Sequence, residues 1–204
     1  MRLNARCLML NAQCCPIAFC PFPSNIHLRW PDSARDARRL GLAAAPVYLN
    51  MKSEKEKLEK LALDLKKDYP RSPRTTLAGY VLAGRSLDKC RATLAEINGE
   101  YHFNCPLDNI FFGFAGINGE EFKNFVATGA DDDEVAKWIE EHATKRPRIE
   151  IIKWNNEWRY KRISELSDDI QEYMEDYIAE NVPKKLIPHI DYFFDIYDAE
   201  EKRL

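Results

Sequence analysis

Residues 167–183 read SDDIQEYMEDYIAENVP, and their spacing decides the fold class. Ile170, Tyr173, Met174, Tyr177 and Ile178 recur every three or four positions, the period of one helix face. Ser167-Asp168-Asp169 supplies a cap and acidic charge for the first turn, and Asn181 with Pro183 ends the run.

The same step recurs on both sides. Upstream, Ser53 opens a helix whose inner face is Leu58, Leu61, Ala62 and Leu65. The run Tyr69-Pro70-Arg71-Ser72-Pro73-Arg74 forces an extended connection. A helix is predicted from Thr76, with Tyr80, Ala83, Leu87, Cys90, Leu94 and Ile97 inward, capped at Asn98-Gly99. Residues 100–106 are too short and irregular for a strand. Asp108 is expected to cap a short helix holding Ile110, Phe111, Phe112 and Phe114. Phe122, Phe125 and Val126 form the next stripe. Asp131 then stands three residues before Glu134, a capping-box spacing, ahead of Val135, Trp138, Ile139 and His142. His142, on that apolar stripe, reads as a core histidine.

Downstream, Ile149, Ile152 and Trp154 predict a short helix stopped by Asn155-Asn156, and a last helix is expected from Pro188, with Ile190, Phe193, Phe194 and Tyr197 inward. The expectation is a mainly α, irregular compact domain of about seven helices joined by short loops.

Composition divides the chain in two. All 15 Lys and all 18 Glu lie at or beyond position 52. Random scatter would do this about once in ten thousand times, so the two parts are read separately. Residues 1–50 carry Arg as their only basic residue type, with four cysteines, Cys7, Cys14, Cys15 and Cys20. They read best as an over-extended translation upstream of Met51, expected to be disordered. A targeting peptide fits the Arg-rich, acid-poor balance but not the Cys and Pro content. A metal or redox segment lacks any C-x-x-C pair. Residues 51–204 are expected to form a single domain. Their two cysteines, Cys90 and Cys105, make no disulfide framework, which makes a reducing cytoplasmic setting the default.

A net charge of −3 gives no reason to expect a nucleic-acid partner, and no apolar run is long enough to span a membrane. The basic run Lys145-Arg146-Pro147-Arg148 is short and has no interleaved aromatics. No phosphate-loop, dinucleotide or nucleophile-elbow motif occurs, and no cofactor is implied.

Two polar runs carry the candidate chemistry. Arg85, Asp88 and Arg91 are spaced by three, so Asp88 is expected to pair with both. With Lys89, Arg71 and Arg74 they make five cations against one acid, a set suited to a small anion. The ordinary alternative is a solvated face with weak ion pairs. The second run holds Tyr101, His102, Cys105 and Asp108 within eight residues. Cys105 with His102 as its base is a candidate catalytic pair. The same four residues also suit a loop hydrogen-bond set with Asp108 as helix cap. Metal ligation lacks a second Cys/His pair. Asp191, Asp195 and Asp198 share one helix face, read as solvated, as a partner surface or as a place for a divalent cation.

Together with Gly79-Tyr80, Arg85, Asp88-Lys89-x-Arg91-Ala92, Gly99-Glu100-Tyr101-His102 and Cys105-Pro106-Leu107-Asp108, the run Tyr69–Arg74 resembles a bacterial domain-of-unknown-function family, number 5069. Trp138, Trp154 and Phe194-Asp195-x-x-Asp198 match it too, while Phe193 stands where that family usually has Trp. The resemblance implies a boundary near Met51 and an intracellular bacterial setting, and no mechanism. Three functions stand open: a module binding a small anionic ligand between the two polar runs, an enzyme using Cys105 or His102, and a protein-interaction module.

Overall fold

Helix α1, Ala45–Leu61, runs alongside the helix at the centre of the fold, α2, Ala83–Leu94. A computed structural model describes the backbone of residues 45–204 and the side chains from Lys52 onward. Most of the predicted leader, with its four cysteines, lies outside the described residues. The helix expected from Ser53 begins at Ala45, and Leu65 is buried beyond its end rather than within it.

The first half of the predicted 76–97 helix is a reversal of chain. Leu77 and Tyr80 exchange backbone hydrogen bonds of 3.1 and 2.9 Å, closing a tight loop with Ala78 and Gly79 at positive φ. Leu82, also at φ 68°, sets α2 off from that loop, so the helix starts at Ala83. Asn155 holds the loop in place: the Val81 N–H donates to its Oδ1 at 3.0 Å, and its Nδ2 donates to Gly79 O at 2.6 Å. Asn155 therefore does not stop a helix. It sits buried inside α6, Arg148–Arg159. The predicted cap at Gly99 is also displaced. The helix ends at Leu94, and Gly99 (φ +55°) instead lets the chain pass so close to Leu65 that a Cβ would lie 2.7 Å from its carbonyl oxygen.

Between these lie α3, Pro106–Ala115, α4, Gly119–Val126, and α5, Asp132–His142. The capping box at α5 is formed: Glu134 N–H donates to Asp131 Oδ1, and Asp131 N–H to Glu134 Oε2, both at 2.9 Å. Asn118 caps α4 through the Glu120 and Glu121 N–H groups. Asp108 is the third residue of α3, and Cys105 holds the cap position. His142 is exposed, its ring stacked 4.2 Å from Trp138.

Helix α7, Asp168–Asn181, follows the opening stretch closely. The last predicted helix divides into a 3-10 turn, Ile187–His189, and α8, Phe193–Glu200. Among the described residues there are eight α-helices and no strand, so the mainly α architecture stands. Phe111 and Phe122 (α3, α4), Ile139 (α5), Met174 (α7) and Phe194 (α8) are fully buried around α2. Each such side chain contributes on the order of 1.5–3 kcal/mol of transfer free energy.

Candidate functional site

Helix α2 is buried on every side, its charged residues included. Arg85 and Lys89 are 3% exposed, Arg91 4% and Asp88 8%. Neither a solvated face nor five cations sharing one acid describes it. Each cation has its own carboxylate, most of them distant in sequence. Arg85 forms two bonds to Glu201, at 2.6 and 2.9 Å. Lys89 meets Asp108 at 2.7 Å, and Arg91 meets Asp132 at 2.6 Å. Asp88 bonds neither Arg85 nor Arg91. It accepts the Arg71 guanidinium at 2.7 Å and the Arg71 backbone N–H at 2.8 Å. Arg71 also reaches Asp132, and Arg74 bridges Asp195 (2.7 Å) and Asp198 (2.5 Å). Asp195 and Asp198 thus anchor α8 to the Pro70–Arg74 loop and form no solvated face or partner surface. Arg203 closes the set on Asp198, Glu201 and the Pro70 carbonyl.

Six cations face six carboxylates, so the network is neutral as a whole. The charged forms of Glu201, Arg85 and Asp132 are favoured. Burial favours the uncharged Glu201, but Arg85, Arg203 and Tyr101 outweigh it and hold the carboxyl below its usual range. Burial likewise works against the Arg85 charge, yet Glu201 holds that guanidinium above its ordinary value. Asp132 is lowered in the same way: burial opposes its charge, and Arg91 and Arg71 prevail.

At one edge of this network lies a cavity of about 50 Å³. Arg85, Lys89, Tyr101, His102 and Cys105 line it, so residues from both polar runs converge there. Arg71, Arg74, Asp88 and Arg91 are not in the lining, and Asp108 lies behind Lys89. The far wall is Tyr173 and Tyr177 of α7 with Tyr197 and Glu200 of α8. These the sequence reading missed as site residues. It placed the tyrosines in the core, and the one available signal was a phenol rather than a hydrocarbon at three inward positions. The Arg85 guanidinium lies between the rings of Tyr101 (5.6 Å) and Tyr197 (5.2 Å). Tyr101 donates to Glu201 at 2.8 Å and Tyr177 to Glu200 at 2.7 Å. Burial raises the Tyr197 phenol well above its usual value, against the pull of Arg85.

Lys89 is the centre of the chemistry. Its ammonium touches Asp108 and also lies 3.2 Å from Cys105 Sγ. Ser86 Oγ donates to the same Asp108 oxygen at 2.7 Å, fixing the carboxylate. An ammonium has three donors, and one is left after these contacts. Arg85 Nε–H is buried and has no hydrogen-bond partner among the described residues. His102 is exposed at the mouth of the cavity.

Residues 67–203 match the family described as Domain of unknown function (DUF5069). The chain belongs to this family. The DUF5069 match encloses the whole ion network, from Arg71 to Arg203, and every residue lining the cavity. No curated protein matches the chain. A second, more open groove of about 470 Å³ runs between Gly79 and Arg148 of this DUF5069 chain. One of its cations, Arg146, lies over the Phe114 ring (4.6 Å), donates to the Phe114 carbonyl (3.3 Å) and pairs with Glu150 (3.8 Å).

Proposed function

We propose that the protein binds a small anionic ligand in the cavity between α2, the Tyr101–Cys105 segment and the tyrosines of α7 and α8. The observation that carries this is the convergence of Arg85, Lys89, Tyr101 and His102 on one concavity, where the Lys89 ammonium has one donor beyond those spent on Asp108 and Cys105. The charge balance narrows the ligand. Arg85 and Lys89 are already matched by Glu201 and Asp108, and Glu200 adds a further carboxylate to the wall. A doubly charged phosphate would meet no net positive field, whereas a single carboxylate needs only the leftover donor. Phenol rings around the head group and a volume of about 50 Å³ favour a carboxylate with a short apolar body.

The test is a thermal-shift series on the full chain with acetate, propionate and phosphate against chloride at matched ionic strength. A carboxylate at 100 times its Kd adds about 2.7 kcal/mol. For a domain of this size that is a rise in Tm of about 5–10 °C. Phosphate is expected to match chloride. His102→Ala, at the exposed mouth, is expected to shrink the carboxylate shift without lowering the unliganded Tm. If no carboxylate exceeds chloride, the reading fails.

A further inference from the structure

We propose that Cys105 is a reactive thiol, oxidised inside this cavity by small hydroperoxides to a sulfenic acid. The thiol is not an isolated surface cysteine. It occupies the N-cap of the ten-residue helix α3, where the free N–H groups and the helix dipole favour negative charge. Lys89, 3% exposed, brings its ammonium to 3.2 Å from Sγ. That ammonium is a hydrogen-bond donor and a proton source in direct contact with the sulfur.

Other charges face the sulfur too. Asp108 shares Lys89 and opposes the thiolate, as does Glu200 across the cavity. Arg85 adds positive charge from α2, itself paired with Glu201. His102 stands at the mouth, and Tyr101, Tyr173, Tyr177 and Tyr197 complete the wall as phenols. Lys89 is the cation in direct contact with sulfur, and it shares its ammonium between that sulfur and Asp108.

The cavity selects the reagent. About 50 Å³ accommodates a few water-sized molecules, so a two-oxygen electrophile reaches Sγ and a bulky disulfide does not. The thiol proton leaves to water through the mouth. The thiolate then attacks one peroxide oxygen and the O–O bond breaks, its electron pair going to the departing oxygen. That oxygen takes a proton from the Lys89 ammonium and leaves as water, or as an alcohol from an organic hydroperoxide. Water then reprotonates Lys89. Sulfur is oxidised by two electrons and the peroxide is reduced by two, giving Cys105–SOH. Cys90 provides an internal control, because it is fully buried and burial strongly raises its thiol pKa.

The experiment treats the full chain at pH 7 with a timed pulse of hydrogen peroxide, removes the peroxide, and then unfolds the protein in urea with dimedone present, so that the trap needs no access to the native cavity; adducts are mapped by peptide mass spectrometry. The native protein is expected to oxidise at Cys105 about ten times faster than the same protein pulsed in urea, and not at Cys90. Equal or slower oxidation in the native state overturns the proposal, and no variant needs to fold for that comparison. A Lys89→Arg variant keeps the positive charge and should retain most of the rate. Lys89→Met, where it folds, should lose it. Retention of the full rate in folded Lys89→Met would remove the lysine from the mechanism and sink the proposal. This inference does not rest on carboxylate binding. Fast oxidation without a thermal shift, or the reverse, separates the two.

Discussion

Removing the Glu201 carboxylate should be among the most damaging single changes this protein can suffer. In Glu201→Ala, the Arg85 guanidinium stays where it is, its side chain only 4% exposed, with the Arg71 carbonyl at 3.2 Å as its remaining acceptor. Tyr101 loses its bond to the same carboxylate, and so does Arg203. Stranding one member of a buried pair costs about 3–5 kcal/mol. With an m-value of about 2 kcal/mol/M, the urea midpoint should fall by about 1.5–2.5 M at unchanged slope. Taking both charges away in Arg85→Met/Glu201→Leu should cost much less than Glu201→Ala, because no lone charge remains to be solvated. Equilibrium urea unfolding of the three proteins measures all of this. A Glu201→Ala loss below about 1 kcal/mol, the range of an exposed pair, would refute the claim that this pair is sealed from water.

Two further predictions follow from the same geometry. Glu201 and Asp132 have depressed folded-state pKa values, so their stabilisation is present above the unfolded carboxyl range near pH 4 and disappears as pH falls through the folded values. The stability gap between wild type and Glu201→Gln should therefore close progressively below about pH 4, read by urea unfolding at stepped pH; a gap independent of pH would contradict the shift. Asn155→Ala leaves the Val81 N–H and the Gly79 carbonyl without their partner, and should cost about 2–4 kcal/mol, while exposed Asn156→Ala should stay within about 0.5 kcal/mol in the same denaturation assay.

Much of the fold was legible wherever local physics governed it. The Asp131–Glu134 box and the stripe from Ile170 to Ile178 depend on neighbours three or four residues away, and both formed as read. Reading failed where a distant residue decided the outcome. Tyr80 fits the helical stripe, but Asn155 pins the preceding backbone into a loop from 76 positions away. Arg85, Asp88 and Arg91 have ideal spacing for mutual pairing along a helix, yet that rule assumes a face in water. Buried α2 has other elements all around it, and its charges find carboxylates as much as 116 residues distant. For the candidate site, the two polar runs were visible in advance. Their convergence, the loss of Arg71, Arg74 and Arg91 to structural pairs, and the tyrosine wall depend on how α7 and α8 close against α2, which no local pattern encodes.

The partnership between Arg85 and Glu201 also bears on how the chain is made. Synthesis delivers α2 long before the ribosome reaches Glu201 and Arg203. Until those codons are translated, an emerging α2 that turned inward would carry a guanidinium into oil without its Glu201 partner. Closing the core around α2 therefore means bringing together residues 116 positions apart, a long-range closure of the kind that slows folding.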